Sequence, residues 1–106
     1  MAISNTNTMF AGKHFLIIDD FQGMRGMLRD MLKSFGAKDI DMAANGKEAI
    51  SFIEQNKYSA VLCDFNLGIG QNGQQILEAV KYRNLIGIST AWIIITAEKT
   101  SDMVIG

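Results

Sequence analysis

Three short stretches of this chain read as almost unbroken apolar runs: His14 to Ile18 (H-F-L-I-I), Ala60 to Cys63 (A-V-L-C) and Trp92 to Ile95 (W-I-I-I). Runs of this length without polar alternation belong to strands buried on both faces, and a sheet is covered on both faces when helices cross over between parallel strands. The intervening sequence supplies those helices. Met24, Met27, Leu28, Met31, Leu32 and Phe35 recur at helical spacing, with Arg25, Arg29, Asp30 and Lys33 between them. Gly36 follows where a left-handed residue commonly closes a helix. Ala49, Phe52 and Ile53 give a second, weaker helix after Asn45-Gly46, and Ile76, Leu77 and Val80 a third. Ile40 and Met42 alternate with Asp39 and Asp41, as in a strand at a sheet edge. The order β-α-β-α-β-α-β specifies an α/β fold, a doubly wound parallel sheet with helices on both faces. The methionines and Phe35 of the first helix read as core; His14, without a visible partner, and Trp92 read as structural.

In open sheets of this kind ligands bind beyond the carboxyl ends of the strands. At those ends stand Asp19-Asp20, Asp64 and Thr96. Each alone has an ordinary explanation: an Asp-Asp pair after a strand is a common turn and helix cap, and Thr is a good strand residue. Their joint placement on one rim is what favours a site. Three gathered carboxylates repel one another unless a hard divalent cation neutralises them, and Mg²⁺ prefers such oxygen donors. With the charge offset, Asp64 is placed to act as a nucleophile toward a phosphoryl group, and the Thr96 hydroxyl to donate a hydrogen bond to a phosphoryl oxygen.

The same region holds a competing signal. Gly68, Gly70 and Gly73 spell G-x-G-x-x-G, the form of a dinucleotide-binding turn. That turn needs its glycines directly at the strand end and an acid about 20 residues on, at the end of the next strand. Here Asp64-Phe65-Asn66-Leu67 intervene, and a count of about 20 residues on from Gly73 lands in the apolar Trp92 to Ile95 strand, whose end offers no acid until Glu98. No G-x-x-x-x-G-K-[ST] occurs either.

Composition narrows the setting. The 106 residues, 48% of them hydrophobic, suit one domain with a single core. A net charge of -1 with scattered lysines and arginines offers no basic stripe for direct nucleic-acid binding. No apolar stretch approaches a membrane span, and residues 1–13 read as a flexible tail without the features of a signal peptide. The lone Cys63 reads as a small buried hydrophobe in a reducing compartment, so a cytoplasmic location is expected.

The segments F-L-I-I-D-D-F-Q-G-M-R-G-M-L-R-D-M-L-K-S-F-G, V-L-C-D-F-N and I-I-I-T-A-E together resemble the receiver domain of bacterial two-component response regulators, the first being especially similar to chemotaxis regulators. The likeness covers nearly all of residues 13 to 106, with the receiver domain taken as 14–106. It implies a flavodoxin-like receiver fold with strand order 2-1-3-4. It implies Asp64 as phosphoacceptor, Asp20 as a direct Mg²⁺ ligand, Asp19 as an acid holding the metal through water, and Asn66 as the donor of a backbone carbonyl to it. Thr96 matches the switch hydroxyl and Ala97 its small neighbour. The implied partners are a histidine kinase or phosphotransfer protein and a downstream output domain or target. On this reading the chain is no independent enzyme, but assists its own phosphoryl transfer and hydrolysis.

Two departures stand out. Receivers usually carry a proline soon after the phosphoacceptor; this chain has none, Gly68 stands there, an extra residue precedes Gly73, and a more mobile loop is expected. The family's fifth strand, with its lysine, and fifth helix are not reached: the sequence stops at Gly106 inside what would be the fourth helix, read either as a fragment of a longer protein or as a shortened domain, and Lys99 is not the matching lysine. Self-association through an open fourth strand or exchange of the C-terminal segment is the consequent expectation. The alternatives are a degenerate receiver acting through protein contacts alone, and a small flavodoxin-like nucleotide or flavin domain using the glycines.

Overall fold

The computed structural model describes residues 9–68 and 72–96. Within them run β1 (His14–Ile18), α1 (Gln22–Ser34), β2 (Asp39–Ala43), α2 (Gly46–Gln55), β3 (Ala60–Asp64), α3 (Gly73–Tyr82) and β4 (Ala91–Ile95). The strands form one parallel sheet in the order β2-β1-β3-β4. The expected doubly wound topology and strand order are therefore present; the segment expected to begin a fourth helix lies outside the described residues.

Alternation within each apolar run feeds two separate cores. Leu16, Ile18, Val61 and Cys63 face Ala49 and Ile53 of α2 and Ile76 and Val80 of α3. Phe15, Ile17, Ala60 and Leu62 face Leu28 and Leu32 of α1. Burial on both faces explains why β1 and β3 carry no interior polar residue. β2, at one edge, tolerates Asp39 and Asp41 because that edge meets water.

Local signals set the helix ends. After α1, the Gly36 amide donates to Lys33 O and the Ala37 amide to Leu32 O, with Gly36 at φ 95°. This pair of hydrogen bonds is the Schellman closure anticipated from the glycine, since a left-handed backbone is required there. Asn45 caps α2 by accepting from the Glu48 amide at 2.9 Å. Asn72 and Gln75 cap α3 reciprocally, each side chain accepting from the other's backbone amide at 2.8 Å.

Two sequence readings need correction. Only Leu28 and Leu32 of α1 are buried, with Met24 partly so; Met27 is 57% and Met31 44% exposed, and Phe35 is also exposed. The methionine stripe is wider than the strip of helix that meets the sheet, so its flank stays in solvent. Phe35 instead packs edge-on to Phe10, which also touches Phe15, so side-chain packing begins ahead of β1. His14, read as lacking a partner, lies with Nε2 2.9 Å from Asp41 Oδ2, and Tyr58 donates its hydroxyl to that same oxygen at 2.7 Å. The His14 and Tyr58 rings are 4.4 Å apart. Burial and the Asp41 carboxylate push the Tyr58 phenol well above its usual range, which keeps it a hydrogen-bond donor. This cluster fastens the amino ends of β1 and β3 to β2, at the end of the sheet opposite the acidic residues. Trp92 packs against the α2–α3 core as a structural residue, its Nε1 buried without a partner among the described residues.

Candidate functional site

β1 and β3 are neighbours, and their register pairs Ile18 with Cys63. The next residue along each strand is therefore Asp19 on one and Asp64 on the other. The chain turns at Asp19 and Asp20 into α1, and carboxylate oxygens of Asp19, Asp20 and Asp64 all lie within 4.8 Å of one another. The three acids expected to gather from distant parts of the sequence do so.

Each acid is held differently. Asp19 is buried, and its Oδ1 accepts the Phe21 amide at 2.9 Å, forming the turn into α1. The ordinary capping role of an Asp after a strand and a place in the acidic cluster thus coexist in one side chain. Arg25, one turn into α1, donates to the Asp19 backbone carbonyl at 2.6 Å and brings a positive charge near it. Asp20 is exposed. Asp64, half-buried, accepts the Asn66 amide on Oδ1 at 3.3 Å. Asn66 itself is exposed at the start of the β3–α3 loop. Thr96 is exposed and follows Ile95, the register partner of Asp64; the Phe65 amide donating to Ile95 O at 2.9 Å keeps the two strand ends together. Ala97 and Lys99 lie outside the described residues.

Burial raises the pKa of Asp64, the Asn66 amide opposes that, and the charges of Asp19 and Asp20 raise it further. Asp19 is raised by burial and by Asp20, against the Phe21 amide and Arg25. In both, the attractive contacts fail to offset desolvation and like charge. A compact set of hard oxygen donors with surplus negative charge fits a small divalent cation. Cys63, beside them, is buried with its thiol pushed up to about 12, first by burial and then by Asp64 and Asp19, so it stays protonated and inert as a buried hydrophobe.

Two glycines of the G-x-G-x-x-G run acquire other roles, while Gly70 lies outside the described residues. Gly73 opens α3 against the end of β3: a Cβ there would stand 2.7 Å from Asp64 O and 3.2 Å from Cys63 Sγ. Gly68 has φ +76°, and a Cβ on it would meet Asp20 Oδ2 at 3.2 Å. The amides of Asn72 and Gln75, at the N-terminus of α3, are taken by the capping box rather than left for a phosphate. The glycines therefore serve a turn and a close helix packing. Sequence reasoning had not brought Arg25 or Gly68 to the site. An arginine one turn after the acids and a glycine four residues after Asp64 were the available signals.

The raised acids fix a pH dependence. A carboxylate with a higher pKa folded than unfolded keeps its proton longer in the native state, so stability falls as pH rises from the unfolded value near 3.8 through the folded one. Asp64→Asn is expected to stabilise the cation-free protein at neutral pH by on the order of 1 kcal/mol after solvent screening. That gain should fade as pH falls toward 4. Urea unfolding across pH checks it, and a variant less stable than wild type at neutral pH would contradict the repulsion.

Residues 15–106 match the family model of the response regulator receiver domain. The chain is 27% identical over 90 residues to the chemotaxis protein CheY of Pseudomonas aeruginosa, covering 85% of this chain and 71% of that protein. Among solved structures it superposes on the response regulator TrrA of Thermotoga maritima, in complex with Mg²⁺-BeF, with a TM-score of 0.71, 27% identity and coverage of 86% and 76% of the two chains. Chemotaxis protein CheY4 of Vibrio cholerae shares the fold, with a TM-score of 0.74 at 21% identity over 89% of this chain and 76% of its own. No helix among the described residues is long and apolar enough to cross a membrane. With its strand order, its converging acids and a family match running from β1 onward, this chain belongs to the response regulator receiver domains.

Proposed function

We propose that Asp64 is the phosphoacceptor of this receiver, taking its phosphoryl group from the phosphohistidine of a histidine kinase or phosphotransfer protein. The observation that carries this reading is the convergence of Asp19, Asp20 and Asp64 within 4.8 Å at the ends of adjacent strands. Asp20 and Asp64 would ligate Mg²⁺ directly, Asp19 through water, and Asn66 through its backbone carbonyl. When bound there, the cation supplies positive charge that offsets the repulsion between carboxylate and phosphoryl oxygens.

The remaining chemistry belongs to the chain. The Asn66 amide engages Oδ1 of Asp64 and orients the carboxylate, one oxygen of which attacks phosphorus. The new P–O bond forms as the P–N bond to imidazole breaks, and the nitrogen keeps the electron pair. The product is an acyl phosphate on Asp64, later returned to the carboxylate by water. Thr96, beside Asp64 at the end of β4, donates its hydroxyl to a phosphoryl oxygen and so couples the modification to the β4 end of the domain. The output is a conformational signal to a downstream domain or target protein, and the setting is cytoplasmic.

A second partner is proposed for the outer edge of β4. That strand reads A-W-I-I-I, carries no charge or proline, and leaves Ile93 47% exposed, whereas the β2 edge carries Asp39 and Asp41. Charges and prolines are how sheet edges are kept from pairing. A second copy of the 106-residue chain, pairing edge to edge, is the proposed cover.

Two tests follow from these readings. Incubation with acetyl phosphate and Mg²⁺ should add one phosphoryl group, with the modification abolished in Asp64→Asn; modification surviving that substitution in intact-mass spectrometry would exclude Asp64 as nucleophile, and no modification of the wild type would favour a receiver acting through contacts alone. Light scattering over a dilution series should show a dimer of the 106-residue chain that Ile93→Lys weakens at least tenfold, since burying an unpaired charge costs several kcal/mol. A wild-type monomer at micromolar concentration would contradict the edge pairing.

A further inference from the structure

Residues 66–68, just after β3, are each held in place beside the acidic cluster. The Asn66 amide donates to Asp64 Oδ1 at 3.3 Å. Leu67 is buried in the same core as Cys63, Ile76 and Val80, so the backbone cannot lift away at that point without exposing it. Gly68, the next residue, turns with φ +76° and brings its backbone beside Asp20, in the turn after β1, such that a Cβ would lie 3.2 Å from Oδ2. Both properties disfavour an ordinary side chain: the left-handed backbone is strained with a β-carbon, and one placed there would crowd Asp20 Oδ2, which would have to give by a few tenths of an ångström.

We propose that Gly68 is a positioning residue of the acidic site, acting through Asp20. Its turned backbone passes beside that carboxylate, and its missing side chain leaves beside Oδ2 the room that the water shell of a divalent cation needs. Mg²⁺ sheds its waters reluctantly and commonly keeps several when bound, so a site built from a few carboxylates requires open space next to each ligand oxygen. The proposal rests on reading Asp19, Asp20 and Asp64 as a cation site. It adds a residue that sets the clearance around Asp20 without itself supplying a ligand atom.

The two properties of Gly68 can be separated by substitution. Gly68→Ala brings both the strained backbone and the β-carbon. Gly68→Asn brings the β-carbon with a residue that accepts the left-handed conformation far more readily. The expected result is that Gly68→Asn unfolds at a higher urea concentration than Gly68→Ala, yet both bind Mg²⁺ about tenfold more weakly than wild type in calorimetry, the scale on which residues that orient metal ligands act. Strain alone would lower stability and leave the Mg²⁺ affinity of the folded protein unchanged. Should Gly68→Ala fail to fold, Gly68→Asn carries the test. Wild-type Mg²⁺ binding with equal affinity in Gly68→Asn would overturn the role of Gly68 alone, whereas absence of Mg²⁺ binding by the wild type would overturn the cation reading beneath it. A double-mutant cycle in urea, pairing Gly68→Asn with Asp20→Ala, supplies a readout independent of the metal: coupling between the two positions is expected, and strict additivity would overturn the contact.

Discussion

The pairing of β1 with β3 is the interaction on which the rest of the structure depends. Both strands are buried on both faces, so a slip of one residue would drive every side chain of one strand into the wrong core. The register that results, Phe15 with Ala60 through Ile18 with Cys63, places Asp19 and Asp64 side by side as the first residues beyond the apolar pairs. A hydrophobic constraint thereby fixes an electrostatic one. The opposite end of the sheet is held by Asp41 accepting from both His14 and Tyr58, so the strands are fastened at one end and left charged at the other.

At the charged end the fold holds groups that disfavour one another. Arg25 and the amides of Phe21, Asn66 and Phe65 offset part of the charge, but burial and mutual repulsion keep Asp19 and Asp64 raised. A site of this kind is less stable empty than filled, because anything positive bound there stabilises the folded state in proportion to its affinity. Ligand response and residual strain are then the same property seen from two sides. The neighbouring strand end carrying Thr96 is tied to the site through Phe65 and Ile95, which gives a change at Asp64 a short path to β4.

Much of this could be read from residue order because the decisive signals are local. Unbroken apolar runs announced buried parallel strands, Gly36 announced a helix end, and acids directly after two of those runs announced the rim. Features that depend on contacts between distant segments were not legible. Nothing in the sequence around His14 points to Asp41 or Tyr58, since their meeting requires the β1–β2 register and the turn before β3. The methionine stripe of α1 was overread for a related reason: periodicity shows which side of a helix is apolar, but not how wide a strip the sheet beneath will cover. The glycines after Asp64 matched a nucleotide motif by spacing, while their backbone conformation and packing, which spacing does not encode, give Gly68 and Gly73 different roles.

The central claim is that the β1–β3 register assembles three carboxylates into one cation site, and direct Mg²⁺ binding tests it. Calorimetric titration of the 106-residue chain should show one Mg²⁺ per chain, with affinity reduced at least tenfold in Asp20→Asn and again in Asp64→Asn, because each removes a ligand charge. Equal affinity in the wild type and both variants would contradict it, for the acids would then be neighbours without forming a common site.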